Sequence, residues 1–524
     1  MPGETKRAGA SAVRGTLGEL LAALSLATDL GNGFPLEKTL RTCLIALAVG
    51  RRLDLDDAEL ADVYYLALLR SIACTSFAPE QGRALAGDDV AARRLMSHAY
   101  GAPPPEVQDL VQRKLGEGLP ADERARAVAW FREHGRRLGD EMCLAHYDVG
   151  VRLAERLGVG ARVGTCLGQV WERYDGLGMP NGLRGEELPI ATRIVHLAFV
   201  VEVEHAVAGP AQARAEAQRR AGTHFDPAAA AAFADCCDEL ELDAGAAWER
   251  VVEAEPWQRP RRPAGIDDLA AVLADFADLK SVYTLGHSSG VAGLAAGAAA
   301  VLGFGAPQAE EVRRAALVQE LGRVSVPNRV WDREGPLSAG DWERVRMHPH
   351  HTERVLAYSP LLEPLGRLAA AHHERLDGSG YHRGTSARAL STAARVLAAA
   401  DSYHAMREPR PHRPALAAPE ARAELEAQAR AGRLDAEAVA AVLAAAGEVP
   451  PRRAWPAELT GREVEVLRLI ARGQSSAQVA AGLVISKRTV DHHVAHVYRK
   501  IGVSSRAGAA LFAIEQGLLT PDLE

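Results

Sequence analysis

The chain has 524 residues, more than one hydrophobic core ordinarily organises, so roughly two to four domains are expected. Apolar residues make up 48% of it and charged residues 25%, which is typical of a globular protein and excludes a disordered or fibrous class. The net charge of −7 excludes a chain that is coated with nucleic acid over its whole surface.

The opening stretch "MPGETKRAGASAVRG" lacks the apolar centre of a secretory signal, and no run of about 18 strongly apolar residues is present. A cytoplasmic protein with no membrane partner is therefore expected. The six cysteines lie between Cys43 and Cys237 without the Cys-x-x-Cys spacing of a zinc site, so reduced thiols are expected.

Along the chain, nearly every segment places apolar residues at the i, i+3, i+4, i+7 spacing of a helix, and strand-like alternation is almost absent. An all-α fold is predicted. The stretch "RYDGLGMPNGLRGEELP" from Arg173 aligns without a gap with "RLDGSGYHRGTSARALS" from Arg375, an offset of 202 residues. This repeat predicts two copies of one helical unit, at residues 1–250 and 260–447.

A proline- and arginine-rich joint leads to a terminal module at residues 457–524, which carries ten Lys or Arg against seven Asp or Glu from residue 451 onward. This module is predicted to form four short helices. Thr460 and Glu463 make a capping box before the first helix, and Ser486 caps the third. The third helix carries basic and hydrogen-bonding residues on its polar positions, with Val490 and Val494 inward, as in the recognition helix of a helix-turn-helix unit.

The stretches "LTGREVEVLRLIARG" and "ISKRTVDHHVAHVYRKIGVSSR" resemble the LuxR-type DNA-binding domain over nearly all of residues 457–524. The resemblance implies binding of double-stranded DNA by a homodimer at inverted half-sites, and an acidic residue on the reading face leaves the base preference open. The residues implied to face the bases are Lys487, Arg488, Thr489, Asp491, His492 and His496, with Arg499, Lys500 and Arg506 nearer the phosphates. The alternative for this module is a helical bundle that contacts protein.

The second copy contains "LVQELGRVSVPNRVWDREG", "RMHPHHTERVL", "AHHERLDGSGYHRG" and "RVLAAADSY", which resemble the HD-GYP family of helical, metal-dependent phosphohydrolases. The resemblance implies two HD-like helical units before the terminal module and one or two divalent metals, iron or manganese, that activate water for phosphodiester cleavage. The residues at the family's metal positions are His287, Gln319, Glu320, His348, His372, His373 and Asp401.

This copy departs from the family pattern at two signatures. Gln319 and Glu320 stand where the family has His-Asp, and Arg323 replaces a lysine, so Glu320 and Arg323 are doubtful candidates for catalysis. Glu320 is one methylene too long, which would displace a bridging ligand, and Gln319 offers a neutral amide in place of an imidazole. The third signature ends in His382 where the family has proline. Weakened or single-metal occupancy and impaired hydrolysis are expected.

Other positions are assigned to structure. In the first copy, Val170-Trp171 replaces the paired histidines, Phe199 replaces the late Asp, and Arg70-Ser71 stands where His-Asp belongs, so this copy is predicted to hold no metal and to serve as packing partner, dimer surface or small-molecule sensor. The histidines of the second copy that are predicted to lie at the surface or to support the ligands are His350, His351, His382, His404 and His412.

Three hypotheses remain open. In the first, the chain is a transcription regulator whose HD-GYP-like body senses a small-molecule or cyclic-nucleotide effector. In the second, it is bifunctional, and the second copy hydrolyses a phosphodiester such as cyclic di-GMP. In the third, the body is only an oligomerisation scaffold. Gln319 and Glu320 favour the first and third hypotheses, whereas the retained histidines and Asp401 favour the first two.

Overall fold

The computed structural model describes residues 16–84, 87–98, 104–117, 119–242, 245, 247–256, 265–447, 455–483 and 485–519. Within these ranges every regular element is a helix and no β-strand forms, which confirms the predicted all-α fold.

The helices of the first copy are α1 (Leu17–Gly31), α2 (Lys38–Arg52), α3 (Asp57–Leu69), α4 (Ala78–Ala84), α5 (Asp89–His98), α6 (Pro104–Lys114), α7 (Ala121–Arg156), α8 (Ala161–Leu167), α9 (Ile190–Arg219), α10 (Pro227–Cys236) and α11 (Ala247–Glu253). Those of the second copy are α12 (Ile266–Asp278), α13 (His287–Val301), α14 (Ala306–Val318), α15 (Asn328–Trp331), α16 (Ala339–Arg346), α17 (His348–Leu356), α18 (Glu363–Ala369), α19 (Thr392–Met406), α20 (Ala418–Arg430) and α21 (Ala436–Ala446). Short 3-10 turns occur at Gly185–Glu187, Cys237–Glu239, Leu321–Ser325 and Pro456–Glu458.

The terminal module has the four helices that the sequence predicts: α22 (Gly461–Ala471), α23 (Ser476–Leu483), α24 (Lys487–Ile501) and α25 (Arg506–Glu515). Thr460 and Glu463 form the expected capping box, and the Ser486 side chain accepts a hydrogen bond from the Thr489 backbone N–H. These caps satisfy N–H groups that an isolated helix start leaves without partners, which fixes where α22 and α24 begin.

The two copies are built alike around equivalent hydrogen bonds. The Asp29 carboxylate accepts from the backbone N–H of Thr39 at 3.1 Å at the start of α2, and Asp278 accepts from that of Ser288 at 2.9 Å at the start of α13. Further along, the carboxylate before each repeated loop accepts from backbone N–H groups nine and eleven residues later, at 2.7 and 3.1 Å in the first copy and 3.2 and 2.7 Å in the second. The repeat read from the sequence is therefore a repeat in space.

One hydrophobic cluster runs through both copies and into the terminal module, with Leu24 of α1, Phe276 of α12 and Leu511 of α25 among its buried members. A buried ion pair also joins the copies, because the ammonium of Lys280 contacts the carboxylate of Asp89 in α5. Removing one partner of such a pair leaves a buried charge uncompensated, so the two copies are held together by charge as well as by apolar packing.

Helix α9 is the one helix in the described ranges whose length and hydropathy match a membrane span, and 56% of its most apolar window is buried inside the protein. Core helices of globular proteins have the same properties. The helix packs against α2, α3 and α10, and a non-helical backbone at Gly209 interrupts it just before Pro210.

Candidate metal centre and nucleic-acid interface

All seven predicted ligand positions of the second copy meet in one place beneath the loop that begins at Arg375. They come from the start of α13, the end of α14, the start of α17, the turn after α18 and the middle of α19. The residues are His287, Gln319, Glu320, His348, His372, His373 and Asp401. All are buried except His373, which is partly exposed.

Glu320 occupies the middle of this cluster. Its carboxylate oxygens lie 3.7 Å from His372 Nε2, 3.8 Å from His348 Nε2 and 3.9 Å from His287 Nε2. Glu320 belongs to two groups of potential ligands, and within each group the donor atoms lie within 4.8 Å of one another. One group adds His348, His372 and His373. The other adds His287 and Asp401.

Two of the imidazoles are held in the orientation that metal ligation requires. His348 Nδ1 lies 2.6 Å from the Val345 carbonyl oxygen and His372 Nδ1 lies 2.7 Å from that of Ala369. A carbonyl can only accept, so each Nδ1 carries the proton and each Nε2 carries a lone pair. The two Nε2 atoms are 3.1 Å apart, a distance at which two lone pairs repel unless a cation or proton lies between them.

The electrostatics of this group favour an ionised Glu320 carboxylate and neutral imidazoles at His348 and His373. Burial raises the pKa of Glu320, but Arg323, His348 and His372 outweigh it and hold that pKa well below its usual range. Burial lowers the pKa of His348 to about 4 and that of His373 further. These are the protonation states in which such side chains bind a metal, so the group around Glu320 fits a divalent cation.

The other side of the cluster is closed by hydrogen bonds. Gln319 Nε2 donates to Asp401 Oδ1 at 3.0 Å, and His287 Nε2 lies 3.2 Å from the same oxygen while its Nδ1 lies 2.8 Å from Glu408 Oε2. Burial lowers the pKa of His287, yet Glu408 and Asp401 overcome it and raise that pKa to about 10. Both ring nitrogens of His287 therefore face carboxylates of the protein, and Gln319 acts as a donor to Asp401. The donor set fits one metal better than two.

Arg323 is held between Glu320 and Trp331. Its Nη1 donates to Glu320 Oε2 at 3.3 Å, and its guanidinium carbon lies 3.7 Å from the centre of the Trp331 ring. The Trp331 indole N–H in turn donates to the Arg323 carbonyl oxygen at 3.2 Å. This arginine neutralises Glu320 and is stacked in place, an arrangement that suits a positioning role.

The sequence analysis assigned His404 to the surface or to support of the ligands, and it did not name Glu408. His404 is buried, with its Nδ1 3.3 Å from Glu408 Oε1 and 3.4 Å from His287 Nδ1, so it supports the ligands and does not lie at the surface. Gly290 leaves room for it, since a Cβ there would be 1.9 Å from His404 Nε2. The i, i+4 spacing of His404 and Glu408 after Asp401 is the signal that could have found the pair.

The first copy fills the equivalent place differently. Lys38, at the position of His287, lies with its Nζ 3.1 Å from the centre of the Phe199 ring, and the Arg70 guanidinium carbon lies 3.6 Å from the same centre. Every group of three or more potential metal ligands in the described residues belongs to the second copy. The offset of 202 residues does place His146 opposite His348, a retained histidine that the sequence analysis missed; burial and Arg70 lower its pKa to about 3.

Helix α24 presents most of the predicted DNA-facing residues to solvent. The exposed ones are Lys487, Arg488, Thr489, Asp491, His492 and Arg499. His496 is half-exposed and packs on His492 with ring centres 4.4 Å apart. Lys500 is exposed too, but it pairs with Glu463 at 2.8 Å, and Arg506 turns toward Glu80 of the first copy at 3.6 Å. These two cations are engaged within the protein in this arrangement.

The terminal module packs on helix α7. The Asp148 carboxylate accepts from the Ser504 backbone N–H and from its hydroxyl, both at 3.0 Å, and Arg152 donates to the Ile501 carbonyl oxygen at 2.5 Å. Arg156 contacts both Asp275 of α12 and Glu515 of α25. The first copy therefore contacts the turn and helix that follow α24, and Arg156 links this contact to the second copy.

Comparison with known proteins agrees with this division. A family model described as "HD domain" matches residues 132–229 and 271–438, just over half of the chain, and one described as "Bacterial regulatory proteins, luxR family" matches residues 457–513. Among curated proteins, the 3'3'-cGAMP-specific phosphodiesterase 3 of Vibrio cholerae is 29% identical over 83% of this chain and 95% of its own length. The probable transcriptional regulatory protein NarL of Mycobacterium tuberculosis is 48% identical over 14% of this chain and 35% of its own.

Among solved structures, the crystal structure of a cyclic GMP-AMP specific phosphodiesterase of V. cholerae aligns with a TM-score of 0.57 and 26% identity. The alignment covers 83% of this chain and 99% of that one. The similarity therefore spans both copies of the body, and the module at residues 457–513 is matched separately by the LuxR-type relatives.

Proposed function

Since this chain belongs to the HD domain family and carries a LuxR-type DNA-binding domain, we propose that it is a transcriptional regulator whose body binds a cyclic dinucleotide and thereby changes how the attached domain engages DNA. It would act in the cytoplasm, as a homodimer on paired half-sites. The observation that carries the proposal is the contact that Asp148, Arg152 and Arg156 of the body make with the turn and helix after the recognition helix.

This contact gives the body a physical means of control. Ser504 lies three residues after the end of α24, so any shift of α7 that moves Asp148 also moves the end of the recognition helix. Arg156 bridges Asp275 of the second copy and Glu515 of the DNA-binding domain, so both copies bear on the same junction. A ligand that binds one arrangement of this junction more tightly shifts the population toward it.

The class of ligand follows from the metal cluster and the named relatives. A phosphodiester ligand carries anionic oxygens, and a divalent iron- or manganese-type cation held by Glu320, His348 and His372 would bind such an oxygen as a Lewis acid. Tyr381 lies over the cluster, with its ring centre 4.4 Å from that of His373, and offers a flat face beside it. The V. cholerae relatives are named for 3'3'-cGAMP, which makes that nucleotide the first to try.

The experiment is a titration of the full chain with fluorescent duplex DNA at two salt concentrations, with and without 3'3'-cGAMP or cyclic di-GMP. We expect binding that weakens steeply with salt, since phosphate contacts supply most nonspecific affinity, and a shift in apparent affinity when the nucleotide is added. If the chain bound no duplex at low salt, it would not be a transcriptional regulator that acts by binding DNA. DNA binding that no cyclic dinucleotide alters would leave the body as a scaffold.

A second candidate, a phosphodiesterase joined to the DNA-binding domain, is favoured by one observation: the Glu320 carboxylate remains central among the imidazoles. Against it stand the hydrogen bonds that engage His287 with Asp401 and Glu408, and the neutral amide of Gln319, on the side of the cluster at Asp401. Metal analysis by mass spectrometry, with chromatography of incubated cyclic dinucleotide, separates the two. We expect about one equivalent of metal and little turnover; two equivalents with turnover would favour the enzyme.

A further inference from the structure

A third group of potential ligands lies on the outer side of α17, apart from the cluster around Glu320. His350 and Glu353 are one helical turn apart on α17, and His382 comes from the loop that follows the paired histidines. Their nearest donor atoms all lie within 4.8 Å of one another, and all three side chains are half-buried. The proposed function assigns nothing to this group.

His382 is held in a conformation that few residues tolerate. Its φ of 41° lies in the left-handed region, and the Arg383 N–H donates across it to the Tyr381 carbonyl oxygen at 2.7 Å, which makes it the centre of a three-residue turn. Such turns strain a residue that has a Cβ, and the strain persists where the surroundings impose it. This backbone brings the His382 ring to His350, with ring centres 5.8 Å apart.

Both ring nitrogens of His382 are buried without a hydrogen-bond partner. A buried imidazole of this kind forfeits the hydrogen bonds it would make with water, a cost that a bound cation removes. Glu353 has one competing partner, since Arg383 donates to its Oε2 at 2.5 Å. The Arg383 side chain is 52% exposed and can turn to solvent, so this ion pair is cheap to exchange for a metal.

We propose that His350, Glu353 and His382 form a second cation site, which takes a borderline divalent transition metal of the Zn²⁺ class. Two imidazoles and one carboxylate are a donor set that zinc favours, with a fourth position left for water. Tetrahedral coordination at about 2.1 Å places donors roughly 3.4 Å apart, so rotations of the three side chains are enough to close the group. The site exists because a histidine occupies position 382.

Occupancy of this site would act on the neighbouring cluster through the loop. Tyr381 precedes His382, its backbone N–H donates to the His373 carbonyl oxygen at 3.1 Å, and its ring packs on the His373 ring. A metal that ties His382 to α17 therefore fixes the residue that covers the cluster around Glu320. The site does not depend on whether the body binds a nucleotide or the terminal module binds DNA.

The test is a calorimetric titration of the chelator-treated full chain with Zn²⁺, on the wild type, on His382→Gly and on His412→Ala. Glycine suits the left-handed turn and removes only the imidazole, so the fold should persist; His412 is an exposed histidine of the same copy and serves as control. We expect His382→Gly to lose one class of Zn²⁺ site, or to weaken it by at least about tenfold, while His412→Ala matches the wild type.

A second variant, Glu353→Gln, keeps size and shape while it removes the charge, and it should lower Zn²⁺ affinity at the same class of site. His372→Ala should instead remove metal from the cluster around Glu320 and leave this class intact, which separates the two sites. Equal Zn²⁺ stoichiometry and affinity in the wild type, His382→Gly and Glu353→Gln would overturn the proposal. An equal loss in His412→Ala would do the same.

Discussion

The two copies of the body share a fold, but they differ in the cation that each can place at the centre of that fold. In the second copy, Glu320 and the imidazoles around it leave a place for a cation from solution. In the first copy, the ammonium of Lys38 and the guanidinium of Arg70 lie on Phe199, at the position of Asp401. The first copy thus supplies its own cations where the second is suited to a metal, and a domain can keep its packing while it exchanges one for the other.

A second difference lies next to this one. In the first copy, Arg41 reaches across to Glu202 with a distance of 2.8 Å. In the second copy the same two positions hold Gly290 and His404, and the missing side chain of the glycine is the space that the imidazole fills. A buried ion pair and a buried imidazole are alternative solutions to the same gap between α2 and α9 or between α13 and α19.

The largest effect is expected from Glu320→Gln, which removes the anionic donor from the group that fits a metal. Metal content measured by mass spectrometry should fall from about one equivalent to background. The metal-free body should also lose about 3–5 kcal/mol of unfolding free energy, because Arg323 stays buried without its counter-charge. Chemical denaturation of the chelator-treated variant and wild type measures this loss.

The matched control is Ser71→Ala, the equivalent position of the first copy, where no metal is expected. It should leave metal content unchanged and cost no more than about 1 kcal/mol, the net value of one hydrogen bond. Metal retained by Glu320→Gln at the wild-type level would show that the histidines alone hold it. The difference in metal binding between the two copies would then be due to the imidazoles and not to the carboxylate.

Lys38→Met tests whether the first copy carries a true buried cation. Burial lowers the pKa of Lys38 from its usual 10.5 to about 7, although Glu202 opposes the shift. The folded state therefore binds this proton less tightly than the unfolded state, so the stability of the wild type relative to Lys38→Met should rise as the pH increases from about 7 toward 10.5 and stay level below 7. Since each unit of difference between the folded and unfolded pKa is worth about 1.36 kcal/mol, the rise should be on the order of 5 kcal/mol.

Denaturant midpoints of the two proteins across this pH range measure the difference. Lys114→Met, which changes a half-exposed lysine of α6, should show no such rise against the wild type. A constant difference between wild type and Lys38→Met at every pH would mean that Lys38 keeps its proton in the folded state throughout, held by Phe199 and Glu202.

Gly290→Ala should destabilise the second copy by about 1–3 kcal/mol, the usual range for overpacking, because its Cβ would collide with the His404 ring. The displaced ring would lose its contact with Glu408. Gly293→Ala on the same helix meets no atom within 4 Å and should instead stabilise the protein by about 0.5–1 kcal/mol through helix propensity. Thermal unfolding of both variants compares their midpoint temperatures. Equal shifts of the midpoint would show that the His404 ring moves aside at little energetic cost.

The sequence predicts part of the fold and part of the candidate site. The helical periodicity predicted the all-α fold, and the HD-GYP resemblance implied that Glu320, His348 and Asp401 lie together, because such motifs report residues that the fold must bring together. The donor role of Gln319 and the burial of His404 depend on side chains more than 80 residues away, which no local pattern contains. The group at His382 also escaped, since its geometry comes from one unusual turn.

The smallest effect is expected where the first copy meets the DNA-binding domain. Asp148→Ala removes the acceptor for both Ser504 donors and should weaken the docking of α25 by about 1–2 kcal/mol, since a hydrogen bond to a charged group contributes roughly this much. Hydrogen exchange of α25 amides should then speed up while that of α13 stays unchanged. Asp109→Ala, at an exposed ion pair of α6, is the control and should alter neither. Unchanged exchange in Asp148→Ala would mean that apolar packing alone holds the domain, and the first copy would then lose its part in controlling DNA binding.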